Sequence, residues 1–463
     1  MNSPLTISIS KSEQRAILVV GCLTSFLTPF LSAALNVALP AIGADLGIDA
    51  IMLNWVATSF LLSAAVFLVP FGKAADIYGR KRFLAGGLVI YTLASLVAAL
   101  AQNAVILILG RVLQGVGSAL MFATGMALVL SVFPPKERGK VLGITVTAVY
   151  LGLSLGPFIG GLLTGLLGWR SVFWINIPLG TGALLYLLLK VKGEWSTAVG
   201  EKLDVAGSVV YGVSLTALMF GFSRLNGSFG IAAFVGGGVG LLFFIRMQIK
   251  SEHPVLSLGL FFQNRVFGFS MVAALVNYSA TFSVGFLMSL YLQYNKGLSP
   301  TISGFVMVSQ PLIMAAFSPM AGRMSDKIIP GRVAAVGMAF TGFGLVMSVF
   351  LREQTSLIYV IACLVVQGIG FALFSSPNAN AAMGSVEKRS YGVASGILGT
   401  TRLLGQMFSM GMVMMIFSML IGKVSIGPEQ FPMFLKSAQL SFGIFAVLCF
   451  LGIFASLVRN KEE

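Results

Sequence analysis

The sequence predicts an all-α polytopic membrane protein, and three observations predict it. Of 463 residues, 57% are hydrophobic and only 10% charged, against about 25% charged in a soluble domain. Apolar runs long enough to cross a bilayer recur from one end of the chain to the other. The basic residues sit in short clusters between those runs, which decides what the net charge of +15 means. A basic face or arm would suggest nucleic acid. Clusters between apolar segments are the positive-inside pattern of a membrane protein, so no nucleic-acid partner is expected.

Fourteen segments qualify as spans: roughly 15–37, 53–71, 83–101, 104–132, 141–167, 171–189, 205–222, 230–248, 267–292, 301–321, 333–351, 356–378, 391–418 and 436–457. Backbone groups in lipid must be satisfied within the segment, which makes helices the natural form. A β-barrel would alternate over stretches of about ten residues, whereas these runs are apolar all round. With the N-terminus inside, the inside loops and termini carry 22 Lys and Arg and the outside loops 6. That ratio puts both termini in the cytoplasm, with the protein in the inner or plasma membrane, and favours an even number of helices. Lys11 and Arg15 precede the first run, which reads as the first membrane helix and not as a cleaved signal.

The chain also repeats itself. VLQGVGSAL at 112–120 returns as VVQGIGFAL at 365–373, pairing Gln114 with Gln367, Gly115 with Gly368 and Gly117 with Gly370. Gly139, Gly143 and Gly152 return as Gly392, Gly396 and Gly405. Gly72 and Asp76 return as Gly322 and Asp326, each pair followed by Gly-Arg: Gly79-Arg80 and Gly331-Arg332. Three matches in one order imply two six-helix halves, 1–190 and 265–463, around a two-helix insertion with its linkers at 191–264. Repeated halves about a central pathway mark secondary transporters, with substrate near the midplane where the repeats meet.

Catalytic and metal chemistry find no support. Cys22, Cys363 and Cys449 are far apart in apolar stretches and form no C-x-x-C pair. The one histidine, His253, falls in a loop, so neither a metal site nor a catalytic cluster is expected. The chain reads as no enzyme and as needing no cofactor.

The motifs carry a family resemblance. GKAADIYGRKR at 72–82 resembles the signature loop between helices two and three of the major facilitator superfamily, and RVLQG at 111–115 resembles its second motif. Gly152, Gly156, Pro157, Gly160 and Gly161 resemble the helix-five motif of its exporters and antiporters. WRSVFWINIPLG at 169–180 resembles the following junction in its drug-efflux branches. Fourteen helices point to the fourteen-helix drug:proton antiporter branch. The resemblance implies that the loop holding Gly72, Asp76, Gly79 and Arg80, with Gly322 and Asp326 in the second half, latches the halves and releases when the cytoplasmic side opens.

Physical chemistry supplies reasons beside the resemblance. Lys73, Arg80, Lys81 and Arg82 hold their loop at the cytoplasmic surface, and Asp76 among them can ion-pair or cap a helix. The helix-five glycines allow close helix approach, and Pro157 would bend the segment. Arg111, two turns into the fourth span, and Arg402, near mid-depth in the thirteenth, are intramembrane charges and so candidate pathway or coupling residues. Asn36, Gln114, Asn277, Tyr278, Gln310, Gln367, Asn378 and Gln406 are the polar side chains expected to line the pathway or to bond neighbouring helices.

The pattern departs from the resembled branch at one point. All fifteen Asp and Glu fall in loops, termini or helix ends. Where that branch often carries an Asp ahead of Asn-Val-Ala-Leu-Pro, this chain has Leu31 ahead of Asn36-Val37-Ala38-Leu39-Pro40. Intramembrane Arg without acid disfavours a cationic substrate, and Arg cannot release a proton. Any coupling proton would have to use Asp76, a loop acid or the substrate itself. The expected function is a monomeric secondary active exporter of amphipathic small molecules, of multidrug type, by alternating access with protons as the candidate coupling ion. The alternatives are an exporter or facilitator of an endogenous anionic or lipid-like metabolite, and a non-transporting receptor or scaffold.

Overall fold

A computed structural model describes residues 10–458 except 135–136, 197, 199, 226, 252–253, 257–258, 388–390 and 423. The side chains of 138–140, 262–263, 326 and 391–392 are outside that description. His253 and the Asp326 carboxylate therefore lie outside the described residues.

Helices of membrane-crossing length account for the fold. Fourteen are present among the described residues: α1 Lys11–Leu46, α2 Ala50–Tyr78, α3 Arg80–Ala99, α4 Ala104–Val132, α5 Val141–Leu167, α6 Ser171–Lys190, α7 Val205–Phe222, α8 Ser228–Lys250, α9 Arg265–Asn295, α10 Pro300–Ser325, α11 Pro330–Val349, α12 Leu357–Gly384, α13 Val393–Leu420 and α14 Pro428–Val458. Polar caps set their starts: the Asp49 carboxylate accepts from the Met52 amide at 2.7 Å, Asn103 from Ile106 at 3.0 Å and Asp204 from Gly207 at 2.8 Å. Pro300 and Pro330 occupy first-turn positions, where no amide hydrogen is needed. Large apolar side chains cover the outside, including Leu189, Phe229, Leu242 and Ile358, a surface that only lipid can solvate. The protein is a multi-pass membrane protein.

The internal repeat is three-dimensional. A Cβ at Gly152 would sit 2.7 Å from the Phe26 carbonyl oxygen, so α5 rides directly on α1. A Cβ at its counterpart Gly405 would sit 2.9 Å from the Leu275 carbonyl oxygen, so α13 rides on α9 in the same way. Gly117 meets the Gly87 carbonyl at 2.8 Å and Gly370 the Gly337 carbonyl at 2.7 Å, seating α4 on α3 and α12 on α11. Gln114 donates to Ser95 at 2.8 Å, and Gln367 donates to Ser348 at 3.0 Å, nineteen residues apart in both cases. The symmetry breaks at Arg111, which bonds the Gln114 carbonyl at 2.7 Å. Leu364 stands in the corresponding place, and the Gln367 carbonyl has no hydrogen-bond partner among the described residues.

The two halves are α1–α6 and α9–α14, and α7 packs along their seam. Tyr211 on α7 donates to the Ala65 carbonyl of α2 at 3.2 Å, while Phe222 meets the Phe408 ring of α13 at 6.3 Å. α8 lies outside α7, seated through Gly237, and faces lipid elsewhere.

Candidate functional site

Contacts between the halves gather at one end of the bundle. Successive helices alternate in direction, so the end of α1, the start of α2, the end of α5 and the start of α10 lie opposite the termini. At this far end Gln293 of α9 donates to the Val37 carbonyl at 2.9 Å, and Thr301 of α10 donates to the Gly161 carbonyl at 3.2 Å. Asn54 of α2 donates to the Met410 carbonyl at 3.4 Å. One contact lies past mid-depth toward the termini, where Ser318 of α10 and Tyr150 of α5 are bonded at 3.4 Å.

The helix-five glycines divide their work. Gly156 and Gly160 accept α1, with a Cβ at Gly156 only 2.6 Å from that of Ala33. Gly161 faces the other half, where a Cβ would meet the Pro300 carbonyl at 2.5 Å. The Pro157 carbonyl abuts Gly304, and the helix runs through Pro157 without a break. One short stretch thus packs the first half internally and seals it to the second.

A cavity of about 60 Å³ lies between the halves, lined in part by Thr28, Phe60, Ser118, Phe122, Phe282, Arg402 and Gln406. Its wall is aromatic and hydroxylic with one cation. Thr28 and Ser118 hydroxyls are bonded at 3.2 Å. Leu31 is buried on α1. The described acids stay at helix ends or loops, as with Asp45, Asp49 and Asp76.

The two intramembrane arginines differ completely. Arg111 is 1% exposed. It donates to the Val56 carbonyl at 3.1 Å and to Gln114 at 2.7 Å, with its guanidinium 4.5 Å from the Phe60 ring centre. Arg111 itself does not line the cavity, whereas the Phe60 ring against it does. Arg402 lines the cavity itself. Among the described residues it makes neither hydrogen bond nor ion pair, and its guanidinium lies 5.7 Å from the Tyr278 ring centre.

Of the other predicted polar residues, Gln406 lines the cavity. Asn36 faces Gly285 where α1 meets α9. Others bond helices: Gln114 and Gln367 as above, and Asn378 to the Ser270 carbonyl at 3.0 Å; at Gln310 it is the backbone carbonyl that abuts Gly368. Both amide atoms of Asn277 are buried with no partner among the described residues.

The loop at 72–82 is held from an unexpected direction. Asp76 pairs with Arg80 at 2.8 Å, and Arg80 also donates to the Ala127 carbonyl at 3.2 Å. Asp76 does not cap α3; Glu194 does, accepting from the Lys81 and Arg82 amides at 2.8 and 3.2 Å. The Arg80 amide donates to the Trp195 carbonyl and the Ala198 amide to the Asp76 carbonyl, at 2.8 and 3.0 Å. Lys73 pairs with Glu201. Through Glu194, Trp195, Ala198 and Glu201, the described residues of 191–201 therefore form a strap across the loop. A Cβ at Gly72 would meet Ala123 at an ordinary 3.7 Å and one at Gly322 the Ser376 hydroxyl at a tighter 3.3 Å, while Gly79 is at φ +118°, with Glu194 against it.

These features agree with the comparisons. The family model described as Major Facilitator Superfamily matches residues 21–276 and 270–463. The chain belongs to the Major Facilitator Superfamily. It is 30% identical over 453 residues to the riboflavin transporter RibZ of Clostridioides difficile (strain 630), covering 96% of this chain and 97% of that protein. It is 29% identical over 386 residues to the multidrug resistance protein Stp of Mycobacterium tuberculosis (strain CDC 1551 / Oshkosh), covering 81% of this chain and 71% of that protein. The fold matches the in meso crystal structure of the POT family transporter PepTSo with a TM-score of 0.69 at 14% identity, over 97% of both chains. This superfamily member is a membrane transporter and not an enzyme.

Proposed function

We propose that this chain is a secondary active exporter of amphipathic small molecules, working by alternating access between its two halves. It acts as a monomer in the cell membrane, with both termini cytoplasmic. The observation that carries this reading is the central cavity between the halves, with the far end sealed by the α5–α10 contact. Under the charge-derived orientation, the seal faces outward. A ligand site for a drug-sized molecule needs several hundred Å³, so the cavity of about 60 Å³ must widen as the halves move. The name of the mycobacterial relative supports export of toxic compounds. A second reading, transport of an endogenous metabolite, is favoured by the relative named a riboflavin transporter, which matches over nearly its whole length.

The coupling ion on this reading is the proton, carried by Asp76, a loop acid or the substrate's own ionisable group. Asp76, with Gly72, Gly79, Arg80, Gly322 and Asp326, belongs to the gate and not to the binding site. Asp76→Asn is accordingly expected to slow transport several-fold while leaving substrate affinity unchanged, checked by paired transport and binding assays.

The test is reconstitution into liposomes under an imposed pH gradient, following protons and a panel of cationic, neutral and anionic amphipaths together. The expected result is proton flux that appears only with a transported substrate. Substrate movement without proton flux would overturn antiport. Movement of none of the panel by folded protein would overturn the export reading.

A further inference from the structure

We infer that the central cavity selects amphipathic organic anions, with Arg402 as the residue that holds the acid group and rejects cations. The inference rests on the transporter reading of this cavity and adds the charge of its cargo. Four observations carry it.

First, Arg402 lines the cavity without a protein counter-ion: among the described residues it has no hydrogen bond and no ion pair, only the Tyr278 ring 5.7 Å from its guanidinium. A guanidinium presents paired donors in a planar fork that suits a carboxylate. Second, the rest of the wall cannot neutralise it. Gln406, Thr28, Ser32 and Ser118 contribute an amide and three hydroxyls, and the described acids lie at the helix ends or in loops. Third, a second positive charge stands behind the wall. Arg111 has its own hydrogen bonds satisfied inside the first half, but its guanidinium rests 4.5 Å from the ring centre of Phe60, which lines the cavity. A cation entering would meet two like charges in a poorly screened interior; an anion would meet two opposite ones. Fourth, Phe60, Phe122 and Phe282 supply an apolar, aromatic part to the same cavity, suited to a ring carried beside the acid group.

The contrast between the two arginines gives the inference its direction. An intramembrane Arg that serves packing finds carbonyls, as Arg111 does. Arg402 lines the cavity with no carbonyl or acid bonded to it among the described residues, and a bound anion would supply that partner.

The experiment measures equilibrium binding to the purified full-length protein in detergent, using three probes that share one ring: 2-naphthoate, 2-naphthamide and (2-naphthyl)methylammonium. Wild type is expected to bind the naphthoate at least about tenfold more tightly than either of the others. Arg402→Gln should erase that preference while leaving naphthamide affinity within about twofold, which also shows that the variant is folded. Arg402→Lys should retain part of the preference. Tighter binding of the ammonium, an anion preference that survives Arg402→Gln, or binding of none of the three by folded wild type would each overturn the inference. Because binding is read without transport, failure here leaves the export reading to stand or fall on the liposome assay. Anion selectivity with no net transport would fault the export reading alone.

Discussion

Arg111 and Arg402 look alike in the sequence, each a lone cation in an apolar run. What separates them is which neighbours folding brings up. Arg111 reaches the Val56 carbonyl, 55 residues away, and the Gln114 amide one turn on; only the second was within reach of helical spacing. Arg111→Gln would leave a buried carbonyl unpaired, at about 1–3 kcal/mol for each unsatisfied group. The expected outcome is a lower melting temperature in detergent, with a preference for anionic ligands that is reduced but retained. Loss of that preference as complete as in Arg402→Gln would mean that Arg111 holds the acid group itself. The positions of Gln114 and Gln367 in the repeat were legible from sequence, but their shared bond to a serine nineteen residues back was not.

Helix α5 shows how a pattern of small residues becomes architecture. Five motif positions in the sequence announced close packing, and Gly156 and Gly160 do lie against α1. Sequence could not show that Gly161, one residue on, would turn to the other half. Substituting Val at Gly160 should overpack the first half and cost about 1–3 kcal/mol, read as a fall in thermal stability. Val at Gly161 should spare the first half's folding but loosen the far-end seal, read as faster labelling by a membrane-impermeant thiol reagent of a cysteine placed at Thr301. The strap at 191–201 was invisible in the sequence, because Glu194 caps a helix start 113 residues earlier. Glu194→Ala should cost about 1 kcal/mol as a lost cap and expose the strap to limited proteolysis. Unaltered cleavage would show that the backbone bonds from Trp195 and Ala198 suffice.

Fourteen helices, two halves and an inserted pair follow from hydropathy and the repeat, because the bilayer leaves the backbone few choices. The cavity did not follow. Its wall comes from α1, α2, α4, α5, α9 and α13, and Phe60, Phe122 and Phe282 carry no signal among 37 phenylalanines. Even so, the absence of acids from the spans, the feature that shapes the cavity's charge, was plain from composition and placement alone.

The central claim is that the halves alternate, with the far-end α5–α10 seal opening once in each cycle. A Cβ at Gly165 would lie 3.8 Å from the Cβ of Thr301, the separation of about 3.8 Å found across a disulfide. With Cys22, Cys363 and Cys449 replaced by Ser, the double variant Gly165→Cys/Thr301→Cys can be oxidised in liposomes and assayed for transport of any substrate the panel identifies. Transport is expected to stop as the crosslink forms and to return on reduction. Transport at an undiminished rate by fully crosslinked protein would contradict that claim.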